Sequence, residues 1–160
     1  MDDQPDRSAR TGGEHERARY DRDLYSWAME QAALLRAGRV TEADVLNIAE
    51  EIEDVGKNEY YRLESALRII LLHLLKWDHQ PERRSRSWWS SVTVQWEGVR
   101  DLLQDNPGLQ PSISKAIERA YRKARVEASA QTRKKLNAFP VRCPYDWDEI
   151  IDRPIEWPQD

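Results

Sequence analysis

The chain has 160 residues, a formal net charge of −4, 34% charged residues and a mean hydropathy of −0.87, which suits one polar globular domain. Only six glycines, and few stretches in which β-branched and polar residues alternate, argue against a β-sheet. The single cysteine, Cys143, excludes an internal disulfide. A helix needs about twenty apolar residues to cross a bilayer, and no apolar stretch is that long. No signal peptide is recognisable either, so we expect a cytoplasmic protein without membrane association.

Charge is distributed unevenly along the sequence. Residues 42–59 carry seven acidic side chains against Lys57 alone, whereas residues 115–135 carry eight lysines and arginines against two glutamates. Residues 146–160 return to six acids against one arginine. This asymmetry predicts acidic and basic helices that pack beside one another or across a dimer.

The N-terminal part divides into a leader and a first helix. Residues 1–19 are too poor in apolar side chains to order themselves, so we expect a disordered leader followed by a single domain over residues 20–160. A helix is expected from an N-cap at Asp21 to Gly38. Gln31 falls inside its apolar stripe, which indicates a buried amide bonded to a neighbouring helix or, as the alternative, a ligand contact.

The most informative stretch runs from Thr41 to Pro81. Thr41 and Asp44 have the spacing of a capping box, which predicts a helix start at Thr41. Apolar residues then recur with the period of one helix face, first at Val45, Ile48, Ala49, Ile52 and Val55, then at Leu63, Leu67, Ile70, Leu71, Leu74 and Trp77. The run IILLHLL is apolar on every side, which is typical of a central core helix. Gly56 allows either one long bent helix, which we favour, or a break into two helices.

The rest of the chain predicts helices that cover this segment. A third helix is expected from Ser85 or Ser87 to about Gln104, and a basic helix with a narrow apolar face of mostly small residues begins at Pro111. In the tail, Asp146 and Glu149 have the spacing of a helix N-cap pair. We therefore predict an all-α fold, an antiparallel helical bundle of four to five main helices with a long central helix or helix pair and a Pro/Trp-rich C-terminal cap.

Several segments together resemble a known bacterial family. They are YDRDLYSWAMEQAALLRAGR, NIAEEIEDVG, LLHLLKW, QPERRSRSWW and FPVRCPYDWDEI, in this order, and they cover about residues 20–155. The chain thereby resembles the family catalogued as domain of unknown function number twenty-nine. The resemblance implies a small cytoplasmic helical protein with no established activity, and it assigns no catalytic residues.

A cluster of acids with a histidine is the first candidate for chemistry. Its members are Glu50, Glu51, Glu53, His73 and Lys76. Glu50, Glu53 and His73 would be the metal ligands, since bundle cores hold metals with such side chains, although the Glu-x-x-His pattern is absent. On one straight helix Glu53 and His73 would lie about 30 Å apart, so they meet only if the chain folds back at Gly56 or a second subunit crosses.

The alternative interpretation of this cluster is structural. The acids are then solvated, and His73 is a core side chain with a hydrogen-bond partner, because an unpaired buried polar group costs about 1–3 kcal/mol. We expect that partner among the acids of residues 50–54, with Gln31 and the backbone as alternatives. We favour the structural interpretation over metal binding.

Two further candidates involve arginines and the cysteine. Basic and aromatic side chains that suit phosphates and bases alternate at Arg83, Arg84, Arg86, Trp88 and Trp89. The sequence pI of about 5.5 disfavours nucleic-acid binding through Arg83–Trp89. Cys143 stands next to Arg142, which favours a thiolate, but no histidine lies near in sequence to act as a base, so we expect a structural residue.

These patterns predict a function in outline. We expect a non-enzymatic protein-interaction module that binds a protein partner, self-associates as a homodimer and carries no cofactor. One alternative is a metal- or ligand-binding bundle, enzymatic or not, that uses Glu50 and Glu53 with His73. The other alternative is nucleic-acid binding through Arg83–Trp89.

Overall fold

The structure, a computed structural model, describes residues 19–154 and confirms the all-α class. Within that range it contains no strand. The α-helices of the described residues are α1 (Leu24–Arg36), α2 (Val45–His79), α3 (Arg86–Asp105), α4 (Ile113–Thr132) and α5 (Trp147–Asp152). Short 3₁₀ turns at Val40–Glu42, Pro81–Arg83, Pro107–Ser112 and Leu136–Ala138 join or follow them.

The chain forms two compact units whose boundary falls between Gly56 and Lys57, and each is described by itself. The N-terminal unit contains α1 and the first part of α2, and the C-terminal unit contains the rest. A single domain over residues 20–160 stays a prediction. The leader predicted for residues 1–19 lies outside the described residues except for Arg19, and so does the apolar end of the tail after Pro154.

The first helix begins two residues later than predicted. The amides of Arg22 and Asp23 donate to the carbonyl of Arg19, so Asp21 lies within a turn that precedes the helix. The N-cap is Asp23, whose carboxylate accepts a hydrogen bond from Ser26 N at 3.0 Å. At the other end the left-handed backbone of Gly38, with φ of 71°, ends the helix as the sequence indicates.

The prediction that α2 starts at Thr41 is wrong. Thr41 belongs to a 3₁₀ turn, and α2 starts at Val45. Asp44 takes the capping role, accepting from Asn47 N at 3.4 Å and from Asn47 Nδ2 at 2.6 Å. The buried side chain of Gln31 fixes this start, because its Oε1 accepts from Asp44 N at 2.8 Å. The expected buried amide is therefore confirmed, with the backbone before α2 as its partner.

Helix α2 continues through Gly56 without a break, as favoured from the sequence. In the C-terminal unit its apolar face forms the centre of the core. The residues of α2 that are buried there include Leu63, Leu67, Ile70, Leu71, Leu74, Leu75 and Trp77. Helix α3 covers this face with residues such as Val92, Trp96 and Val99, and α4 covers it with alanines such as Ala116, Ala120 and Ala124. These small side chains let α4 approach the core closely.

Polar contacts show that α2 and α4 run in the same direction. Glu64, which is buried, lies 2.6 Å from Lys123 Nζ and 2.9 Å from Arg119 Nε. One turn further along both helices, Arg68 Nη1 donates to both carboxylate oxygens of Glu127 at 2.6 Å. Helix α3 leads in sequence from the end of α2 back to the start of α4, so it runs in the opposite direction to both. Consecutive helices among α2, α3 and α4 are therefore antiparallel, as predicted.

The C-terminal end of α2 holds the tail in place. Arg153 donates two hydrogen bonds to Asp78, at 2.9 and 2.8 Å, and Tyr145 OH donates a third at 2.9 Å. Burial alone would raise the pKa of Asp78, but these donors outweigh it and hold the pKa below its ordinary value. The predicted cap at Asp146 and Glu149 is confirmed as a capping box that starts α5.

Leu71 and Leu74, both 0% exposed, provide a test of the core. Replacing either by alanine should lower the free energy of unfolding by about 2–5 kcal/mol, because the transfer and cavity terms add. Val94→Ala, at a position on α3 that is 63% exposed, is the control and should change it by less than about 0.5 kcal/mol. Equal urea midpoints for the leucine variants and the wild type would show that the core lies elsewhere.

Asp78 provides a test of the tail. Asp78→Asn removes the charge that Arg153 and Tyr145 bind, so the amides of Trp147–Asp152 should exchange with deuterium about tenfold faster. Helical circular dichroism should not change. Asp101→Asn, an exposed acid on α3, should leave exchange in α5 as it is. Unchanged exchange in Asp78→Asn would mean that apolar contacts alone hold the tail.

Candidate functional site

The acids of the predicted cluster and His73 belong to one helix, α2, which has no turn at Gly56. Glu50 and Glu53 are exposed. Glu51 accepts a hydrogen bond from Tyr20 OH at 2.8 Å, which raises the pKa of Tyr20 to about 12. Within residues 19–154, no three histidine, cysteine or acidic side chains lie close enough to hold a metal ion. A metal site that uses Glu50, Glu53 and His73 stays a prediction.

His73 lies on the side of α2 that meets the start of α3. Its Nδ1 is buried, and no hydrogen-bond partner for that atom exists among the described residues, so the expected partner is not found. The centres of the His73 and Trp88 rings lie 6.3 Å apart. Burial, and then the charge of Lys76, lower the pKa of His73 to about 4, which keeps the ring neutral near pH 7.

Lys76 is the most unusual side chain of this region, because it is an ammonium group in a residue only 8% exposed. Its Nζ donates to Gln131 Oε1 at 2.9 Å and lies 4.3 Å from the centre of the Trp88 ring. No carboxylate pairs with it within residues 19–154. Burial accordingly lowers its pKa.

The structure thus brings together members of two candidate clusters that the sequence analysis kept apart. His73 and Lys76 from one cluster and Trp88 from the other form a single group, which Gln131 completes. We call these four residues the Lys76 group. Sequence reasoning missed Gln131, although it continues the line of Lys123 and Glu127 at four-residue steps along the polar face of α4.

The arginines that were expected to accompany Trp88 have different surroundings. Arg84 Nε donates to the carbonyl of Trp77 at 3.0 Å, and its guanidinium lies 5.0 Å from the centre of the Trp77 ring. Arg83 and Arg86 are exposed. Because Arg84 bonds to backbone and Trp88 lies beside Lys76, nucleic-acid binding through Arg83–Trp89 stays the weaker alternative.

Cys143 lies at a surface cavity of about 460 Å³ that Tyr121, Arg122 and Val141 also line. Burial raises the pKa of its thiol, and Sγ donates to Tyr145 O at 3.6 Å. A nucleophilic cysteine needs the opposite shift. These contacts favour the structural role expected from the sequence.

Apolar side chains are exposed mainly in the N-terminal unit. Of the fourteen large apolar side chains that are exposed in the described part of the chain, nine belong to residues 24–55. The face of α2 that the sequence pattern indicates exists but points to solvent, with Val45 53%, Ile52 66% and Val55 66% exposed. We call this face the α2 stripe, formed by Val45, Ile48, Ala49, Ile52, Val55 and Gly56.

The fold and these surfaces define a small all-α protein with a buried lysine group and an exposed apolar helix face. Residues 19–155 match the family model described as "Domain of unknown function DUF29", and the chain belongs to this family. No curated protein and no solved structure matches the chain. None of the described helices is both long enough and apolar enough to cross a membrane.

The depressed pKa of His73 predicts a pH dependence of stability. Between about pH 6.5 and pH 4 the unfolded chain binds a proton at His73 that the folded chain does not, so this residue should destabilise the fold as pH falls through that window. His73→Gln removes the titrating ring and should flatten the fall, measured by urea unfolding at several pH values. His79→Gln is the control, and parallel losses in wild type and His73→Gln would contradict the assignment.

Proposed function

We propose that this protein is a protein-interaction module that self-associates by pairing its α2 stripe with the same stripe of a second copy. The observation that carries the proposal is the solvent exposure of an apolar helix face with the regular spacing of a buried one. A contiguous apolar face of this kind marks an interaction surface, whereas apolar side chains scattered singly do not. No catalytic step is part of this function.

The small interior of the N-terminal unit supports the proposal. Among its described residues only Trp27 and Gln31 are buried, and one of these is polar. Such an interior supplies little hydrophobic stabilisation. The apolar side chains of the α2 stripe add little to it in a monomer, because they stay exposed to water. Pairing two stripes would remove this apolar surface from water.

Gly56 gives the stripe a feature that a solvent-facing helix does not need. Glycine within a helix costs about 1 kcal/mol relative to alanine. Its backbone does not have a positive φ, and a Cβ at this position would meet nothing within 4 Å. Gly56 and Ala49 leave one part of the stripe without large side chains, which lets a second helix approach closely.

The size of the stripe defines the kind of complex. Its six residues span only three turns of α2, from Val45 to Gly56, so we expect the pair to bury less than about 1,200 Å², the range of weak and reversible association. The contact joins apolar side chains, so added salt should not dissociate the dimer.

Sedimentation equilibrium over a wide range of protein concentration tests the proposal. The wild type should show a monomer–dimer equilibrium that sodium chloride does not shift towards monomer. Ile52→Glu should abolish the dimer, because it places a charge on the stripe. Gly56→Leu should also abolish it while helical circular dichroism stays the same, since leucine fills space that is open in one copy.

Gly98→Leu is the matched control. Gly98 is also a helical glycine with nothing within 4 Å of a Cβ, but it lies on α3 beside the exposed Glu97 and Asp101. This variant should dimerise like the wild type. A wild type that stays monomeric at every concentration, or a dimer that Ile52→Glu does not affect, would overturn the proposal. A dimer that salt dissociates would also overturn the pairing of two apolar stripes.

A further inference from the structure

The Lys76 group places a buried positive charge where no negative charge of residues 19–154 compensates it. Lys76 is 8% exposed, and it donates a hydrogen bond to a neutral amide, Gln131 Oε1 at 2.9 Å. Buried lysines in proteins are usually paired with an acid. Within residues 19–154, Asp78 binds Arg153, and Glu127 binds Arg68, so neither nearby acid pairs with Lys76.

A second polar atom of the group also lacks a partner. His73, one turn before Lys76 on α2, has a buried Nδ1 with no hydrogen bond in the described part of the chain. Residues at i and i+3 are neighbours on a helix surface. The Trp88 ring packs against both side chains, 4.3 Å from Lys76 Nζ and 6.3 Å from the centre of the His73 ring.

We propose that the Lys76 group binds the carboxylate of a small organic acid, with Lys76 Nζ as its charge partner. One carboxylate balances one ammonium charge, whereas a doubly charged phosphate would leave a net negative charge in a half-buried place. The remaining protons of Nζ and the amide protons of Gln131 are available as donors. A neutral His73 that carries its proton on Nδ1 adds a third donor without adding a charge.

The position of the group allows a ligand to reach it. Gln131 is exposed, and His73 and Trp88 are half-buried, so the carboxylate enters from the surface and its organic part lies against the exposed side of Trp88. Gln80 Nε2 donates to Thr132 O at 3.3 Å, so this end of α2 lies beside the end of α4. Arg133, Lys134 and Lys135 follow there and attract anions to this end of the unit.

The competing explanation is that the Trp88 ring and Gln131 alone compensate for the burial of Lys76. A cation–π contact and one hydrogen bond would then offset the cost of burying the ammonium group. In that case Lys76→Met would fold at least as well as the wild type, and organic acids would bind neither protein at this place. The proposal stands on the C-terminal unit alone and does not depend on self-association.

Titration with sodium benzoate, followed by NMR of ¹³C-labelled histidine rings, tests the site. The ionic strength is held constant with sodium chloride, and the ring signals are assigned from His73→Gln and His79→Gln. In the wild type the His73 signal should move and saturate. Lys76→Met should weaken benzoate binding at least tenfold, which corresponds to about 1.4 kcal/mol. Sodium phosphate in place of benzoate should give weaker binding.

Lys115→Met, which removes an exposed lysine of α4, is the control and should bind benzoate like the wild type. If Lys76→Met does not fold, Lys76→Gln and Gln131→Leu decide the result by the same tenfold criterion. A His73 signal that moves linearly without saturation, or that saturates equally in the Lys76 variants, would overturn the proposal. So would phosphate binding more tightly than benzoate.

Discussion

Burial of the apolar run of α2 is the constraint on which the rest of the C-terminal unit depends. Leu71 and Leu74 have no exposed surface, and the run around them is apolar on nearly every side. A helix of this kind has to be surrounded, and α3, α4 and the tail each cover part of it. The few polar atoms within reach of this interior, such as Glu64 and Lys76, therefore lie at its margin, where partners from α4 can meet them.

The sequence predicts the parts of this fold that depend on local periodicity. The inward positions of α2 from Leu63 onwards, the glycine end of α1 and the capping box of α5 follow from spacing within one segment, and the structure confirms them. Helix starts were less predictable, because several residues compete for the same role. Asp23 and Asp44 replace Asp21 and Thr41 as caps, because the two earlier residues belong to backbone turns that precede the helices.

The composition of the Lys76 group could not be predicted, because it depends on which faces of three helices meet. Nothing in the spacing of His73 and Lys76 indicates that Trp88 lies beside them, since the chain first has to reverse at Pro81–Arg83. The outward direction of the α2 stripe was likewise hidden, since its period is that of a buried face. Periodicity shows that a face is apolar, and only the packing of other elements shows whether it is covered.

The common direction of α2 and α4 also concerns how the C-terminal unit folds. The contacts between these helices close long loops, with sequence separations of 59 from Arg68 to Glu127 and 55 from Lys76 to Gln131. Contacts between α2 and α3 close much shorter loops, which cost less chain entropy. We therefore expect the α2–α3 hairpin to form first and the docking of α4 to be the slower step that limits the folding rate.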